Sequence, residues 1–180
     1  IDAEFIKNNG WFSAGRSFIK GILCIYAYQL PKSFNSNAIV NISNYWLKQA
    51  NSKNYHHFFP KAFLTKKGAQ CSHINHILNI TIVDDFLNKR EIGAKAPSQY
   101  MSDFAKKNSA LSETMKSHLI NDLDSFGIWN DDYNIFFNAR AIAVSEEINK
   151  RLIPSAIDKL QPAILADAFE ELENDEENDE

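Results

Sequence analysis

The sequence lacks any run of the roughly eighteen unbroken apolar residues that a membrane-spanning helix needs, and its 180 residues include only two cysteines. Cys24 falls in an apolar helical run and Cys71 in a polar stretch, with no CxxC spacing, so neither a zinc cluster nor a disulfide framework is supported and both read as buried or idle thiols. There is no glycine-rich phosphate loop, no internal repeat and no heptad seam, which excludes a nucleotide-hydrolysing P-loop, a solenoid and a coiled coil within this stretch. The start has no charged region followed by an apolar one, as a secretory leader would, so a cytoplasmic protein with no membrane partner is expected. A first residue of Ile1 rather than Met suggests a piece cut from something longer. Lysine and arginine are missing from the last fourteen residues.

What is present is 44% hydrophobic and 12% aromatic, enough for one substantial core. The net charge of −4 conceals an uneven distribution. Nine acids crowd into residues 167–180, and without them 14 acids face 19 bases, a formal +5. A basic body with an acidic tail is therefore expected, divided as 1–166 and 167–180. Within 53–95 the bases Lys53, Lys61, Lys66, Lys67, Lys89, Arg90 and Lys95 outnumber Asp84, Asp85 and Glu91. That surplus suits a polyanionic partner, and equally a solvated face.

Along the chain, Ser13 can cap a helix carrying Phe18, Ile19, Ile22, Leu23 and Tyr26, ended by Pro31. Ser43 can cap a short one through Trp46 and Leu47. A polar loop around Gly68 leads to HILNITIV, whose β-branched Ile80 to Val83 predict a strand. DDFLNKREIG predicts a short helix begun by Asp84 or Asp85 and stopped by Gly93. Pro97 opens another through Met101 and Phe104, Ser109 or Ser112 one through Met115 and Leu119. Asp131 or Asp132 starts the longest, with Ile135, Phe136, Ala139, Ile142, Ala143 and Ile148 on one face, and Pro162 the last. The fold class predicted is α+β, a mostly helical domain with one mixed insert.

That insert carries two of the five histidines side by side, in YHHFFPKAFL, with NITIVDDFLNKR downstream. Together these segments resemble the HNH (ββα-metal) nuclease motif, in which an acid-His-x-x-Pro segment ends a first strand, a central Asn lies on the second and a final Asn or His on the helix. They are most similar to the C-terminal domain of GmrSD-type modification-dependent restriction enzymes and of phage-defence nucleases that sense phosphorothioate DNA. The similarity extends to APSQY and FFNARA, covering 54–100 closely and 40–152 loosely, with the motif itself at about 52–100. The HNH domain of RNA-guided CRISPR effectors shares the nine-residue step that separates Asn79 from Asn88 here.

The resemblance implies a metal-dependent DNA endonuclease that leaves 5′-phosphate and 3′-hydroxyl ends, the effector part of a bacterial phage-defence or restriction protein whose N-terminal nucleotide-hydrolysing and sensor domain is absent from this chain. It implies His57 as general base, Asn79 as the central Asn that holds the loop after the first strand, and His56 and Asn88 as metal ligands. Lys61, Lys89, Arg90 and Lys95 are candidate phosphate contacts. The chemistry agrees: hydrolysis needs a water deprotonated near pH 7, which imidazole suits, and a cation against the charge that builds on phosphate. His56 stands where many members have an acid, so the cation is left open among Mg²⁺, Mn²⁺, Ni²⁺ and Zn²⁺. Asp84 or Asp85 taking the acid's role, or the two histidines exchanging theirs, are also open. The competing expectation is a catalytically inactive module of the same shape that binds nucleic acid or a protein.

The remaining candidates have plainer readings. His73 and His76 read as loop or packing residues, His118 as exposed, and the phenylalanine pairs as core. Arg140 is divided between a buried ion pair and a DNA contact.

Overall fold

The computed structural model describes residues 1–13, 15–42, 55–69, 71–83 and 91–152, the side chains of Cys71 and Ser72 excepted. The expected helices at Trp46 and Pro162, the acidic tail, and Asn88, Lys89, Arg90, Asp84 and Asp85 lie outside these residues. Residues Ile1–Lys150 form one unit and Arg151–Glu180 another. The first unit mixes helices with a two-stranded sheet, an α+β architecture.

Among the described residues its helices are α1 (Ala3–Asn9), α2 (Ser17–Tyr28), α3 (Lys61–Lys66), α4 (Cys71–Ile74), α5 (Pro97–Lys107), α6 (Leu111–Lys116) and α7 (Tyr133–Asn149). Strands β1 (Tyr55–His57) and β2 (Ile80–Ile82) are joined through α3, α4 and a 3₁₀ turn at Ile77–Asn79. The strands run antiparallel, with Tyr55 opposite Ile82, His56 opposite Thr81 and His57 opposite Ile80. Three residues a side is too short a ladder to stand alone. All three residues of β2 are buried, and α2 packs against the strand.

Local chemistry explains most boundaries. Asp132 caps α7 by accepting from the Ile135 amide at 3.0 Å, and Pro97 at the first turn of α5 fills a position where no amide is needed. Asp2 caps α1, which was not expected from the sequence, by accepting from the Phe5 amide at 2.7 Å. In α2 the cap position is Arg16, whose side chain caps no helix amide, and the Ser13 carbonyl accepts from the Arg16 amide at 3.1 Å. Leu30 at φ 51° then turns the chain out of the helix, just ahead of Pro31.

The core is aromatic. Phe58 stacks on Phe136 of α7 with centroids 4.9 Å apart and planes 7° from parallel, and meets Tyr100 of α5 edge-on at 5.8 Å. The residues after β1 are thereby clamped between α5 and α7.

Several expectations need correction. His118 is buried rather than exposed: its Nε2 lies 2.8 Å from the Lys32 carbonyl, and its ring meets Phe34 edge-on. Burial against that apolar ring moves its pKa down to about 4. Of the two readings of Cys24, buried or idle, burial does not hold, because it is exposed on α2. Asn79 is not in the strand but ends the 3₁₀ turn before it, because His76 Nδ1 accepts the Leu78 amide and folds the chain tightly there. Ile135 and Ile142 are 46% and 54% exposed, while Arg140, Ser145 and Glu147 are buried in α7, so its inner face is not the expected apolar stripe. Arg140, for which a buried ion pair or a DNA contact was expected, is buried and pairs with no carboxylate among the described residues. Its Nη1 donates to the Leu78 carbonyl at 2.8 Å and its guanidinium lies 4.9 Å from the Tyr26 ring centroid, contacts that offset part of the cost of burying a cation.

Candidate active site

The turn from Phe58 to Pro60 has every backbone polar group engaged at its first two residues. The Phe58 amide donates to the Asn79 carbonyl at 2.8 Å, and the Phe58 carbonyl accepts from the Tyr100 hydroxyl at 2.6 Å. The Phe59 amide donates to Asn79 Oδ1 at 2.8 Å, and the Phe59 carbonyl accepts from Asn79 Nδ2 at 3.0 Å. One amide side chain, fully buried, thus grips both polar groups of a residue two positions beyond His57. A buried backbone must satisfy such groups somewhere, and here a single residue does so in both directions.

Asn79 is fixed in turn. Its Nδ2 also donates to the Ile74 carbonyl at 3.0 Å, and its own amide donates to the His76 carbonyl at 2.8 Å. The two residues before it are anchored from α2 and α7, by the Tyr26 hydroxyl on the Ile77 carbonyl at 3.2 Å and by Arg140 on Leu78.

His56 and His57 end β1 with unlike surroundings. His56 is 3% exposed, its ring 6.5 Å from that of Tyr100. His57 is half-buried, with Nε2 3.2 Å from Asn75 Oδ1. Burial moves the His57 pKa below its ordinary value, the Asn75 bond works against this, and the Lys61 ammonium adds a smaller push downward. The ring is therefore neutral at pH 7, the form that can accept a proton.

Both histidines border a shallow cleft of about 220 Å³ with Pro60, Lys61 and Gly93. Gly93, at φ 56°, adopts the left-handed conformation expected of it as a helix stop. Lys95 lies elsewhere, in a cleft of about 290 Å³ with Glu91, Asp103 and Lys107, and its ammonium is 3.4 Å from Asp103. The structure thus brings His56, His57 and Lys61 together, places Asn79 behind them as a brace, and sets Lys95 apart.

Among the described residues no group of three or more His, Cys, Asp or Glu gathers in a way that could hold a metal ion. His76 is buried on the Lys7 carbonyl, 3.2 Å away, while His73 is exposed, so the pair does not form a ligand set. Asn75 and Tyr100 are the site residues that the sequence reading missed. Neither carries a local signal: Asn75 acts through His57 at the end of β1 and Tyr100 through Phe58 just after it, both distant in sequence.

Comparison with known proteins finds no matching family model and no matching solved structure. Among curated proteins, the chain is 34% identical over 121 residues to "Uncharacterized protein MJ0686" of Methanocaldococcus jannaschii, a match that covers 61% of this chain. The chain spans only 19% of the length of that relative. Among the described residues no helix is long and apolar enough to cross a membrane.

Proposed function

We propose that the β1–β2 hairpin is the catalytic core of a metal-dependent DNA endonuclease of the HNH type. The observation that carries this reading is the two-way grip of Asn79 on Phe59, which sets the backbone immediately after a strand-ending, neutral His57. Such a brace has a clear use if the ring must meet a water at a fixed angle, because general-base catalysis depends on geometry before it depends on pKa. The resemblance of the segments around His57 and Asn79 supports the same conclusion.

In this reading His57 takes a proton from the attacking water and holds it on the imidazole. Lys61, exposed at the cleft edge, draws a phosphate into place without reading sequence. Asn79 and Tyr100 keep the Phe58–Phe59 bend from relaxing. His56, bordering the same cleft, would hold a divalent cation together with Asn88, and the cation's chemistry is to offset negative charge on the phosphate and on the departing 3′ oxygen. The imidazole is a borderline donor and neither it nor the amide oxygen brings a negative charge, so this pair would suit Mn²⁺, Ni²⁺ or Zn²⁺ better than Mg²⁺. The substrate is DNA, and a nucleotide-hydrolysing sensor domain is the partner that would license cutting.

One observation favours a second reading, a non-catalytic module that binds nucleic acid or protein: among the described residues no group of three or more His, Cys, Asp or Glu gathers, and His56 stands where many HNH members have an acid. Supercoiled plasmid, and RNA beside it, incubated with the protein and Mg²⁺, Mn²⁺, Ni²⁺, Zn²⁺ or EDTA, separates the two. Metal-dependent nicking or linearisation of DNA supports the nuclease. DNA retention without a cut product under every metal supports the module.

A further inference from the structure

The nitrogen of His57 that is free to act is fixed by a residue that no sequence motif marks. Oxygen and nitrogen of an asparagine amide look alike, so their placement must come from the partners. For Asn75 the partners decide it. The amide's nitrogen lies 3.3 Å from the Phe12 carbonyl, which can only accept, so that end must be Nδ2. The other end is then Oδ1, which can only accept, and it faces His57 Nε2 at 3.2 Å. A neutral imidazole has one donor and one acceptor nitrogen. His57 must therefore carry its proton on Nε2, leaving the Nδ1 lone pair.

Asn75 itself is held by a strip from the far N-terminal side. The Phe12 amide donates to the Asn75 carbonyl at 3.0 Å, and the Ile77 amide to the Gly10 carbonyl at 2.8 Å. Trp11 and His76 form an antiparallel bridge between these two bonds. The Phe12 ring then meets Tyr55 of β1 edge-on, 5.2 Å between centroids, joining the strip to the strand that ends in His57. Main chain and side chain of Asn75 are both tied to Phe12, so its amide cannot turn without breaking two bonds.

We propose that Asn75 is a positioning residue that holds the Nε2–H of His57 on its Oδ1, so that Nδ1 is the nitrogen that accepts the water's proton. The second half rests on the proposed endonuclease reading; the first does not. The test uses protein labelled with ¹⁵N in its imidazoles, with His57 assigned by the signal lost in His57→Ala, and long-range ¹H–¹⁵N correlation at pH 7.5 to 8. Wild type should show His57 in one tautomer, protonated on Nε2. Asn75→Leu, without an acceptor, should show a mixture. Asn75→Asp, which keeps an acceptor for Nε2–H, should restore the single form and serves if the leucine protein does not fold. Plasmid cleavage by the same proteins should show kcat down about tenfold or more in Asn75→Leu, with KM little changed, and recovered in Asn75→Asp, the range seen when a group orienting a histidine is removed. A wild-type ring protonated on Nδ1, or a tautomer balance unmoved by Asn75→Leu, would overturn the proposal. The predicted tautomers without any cleavage by wild type would sustain the positioning and overturn the endonuclease reading instead.

Discussion

Replacing Asn79 by alanine should unfold much of what the protein has to spare. The side chain is fully buried and makes three hydrogen bonds, to the Phe59 amide at 2.8 Å and to the Phe59 and Ile74 carbonyls at 3.0 Å each. A net contribution of about 1 kcal/mol per bond is the smaller part of the loss. The larger part comes from buried partners left unpaired, since Phe59 and Ile74 are 0% and 3% exposed. At roughly 1 to 3 kcal/mol for each abandoned group, the cost of Asn79→Ala is on the order of 4 kcal/mol, against a typical total stability of about 5 to 15. Asn79→Asp should cost at least as much, because it retains an acceptor for the Phe59 amide but turns a second oxygen against two carbonyls and brings a charge into the core. Urea unfolding followed by far-UV circular dichroism and tryptophan fluorescence measures both variants, with an unchanged slope showing that the midpoint shift reflects stability. A loss below about 1 kcal/mol for Asn79→Ala would refute the reasoning, since it would mean that the Phe59 groups find other partners at no cost.

Three further outcomes follow from the same geometry. His76 and His118 have pKa values lowered to about 4 by burial, so the unfolded chain binds protons first. Stability should be level above pH 6.5 and fall between pH 6.5 and 4, by roughly 3 kcal/mol per ring, and His118→Gln should remove about half of that fall; a flat pH profile would contradict the assignment. Gly10→Ala would place a Cβ against His76 Cε1 and 2.7 Å from the Ile6 carbonyl, so a loss of about 2 kcal/mol is expected in thermal melts, and an unchanged melt would mean that the strip at residues 10 to 12 yields easily. Lys61→Gln should weaken DNA binding and reduce the salt slope by about one, whereas Lys95→Gln, already paired with Asp103, should change it less; the reverse order would move the DNA path to the other cleft.

Local signals placed the helices that local chemistry dictates. Pro97 and Asp132 begin α5 and α7 through a missing donor and a capping carboxylate, both readable in a few adjacent residues. Elements set by distant partners were not legible. The strand expected at Ile80 to Val83 is found at Ile80–Ile82, but the 3₁₀ turn ahead of it, in which the His76 imidazole accepts the Leu78 amide and Asn79 is kept out of the strand, was not anticipated. In α7 the hydrophobic spacing placed Ile135 and Ile142 inward, but buried Arg140 answers the Leu78 carbonyl and the Tyr26 ring, so tertiary contacts override the pattern. His118 reads as a surface residue until Phe34 and the Lys32 carbonyl are seen around it. At the site, the side-by-side histidines were conspicuous because imidazoles are few in this sequence. Asn75 was not, because its meaning depends on Phe12, which lies 63 residues away in sequence.

The central claim is that His57 is a base poised for phosphodiester hydrolysis. The most direct measurement is the rate of supercoiled-plasmid nicking by wild-type protein with Mn²⁺, beside His57→Ala under the same conditions. The claim predicts metal-dependent nicking that EDTA abolishes and that falls by at least about a hundredfold in His57→Ala, the scale of a lost general base. Equal nicking by the two proteins, or none by wild type with any metal while DNA remains bound, would contradict it.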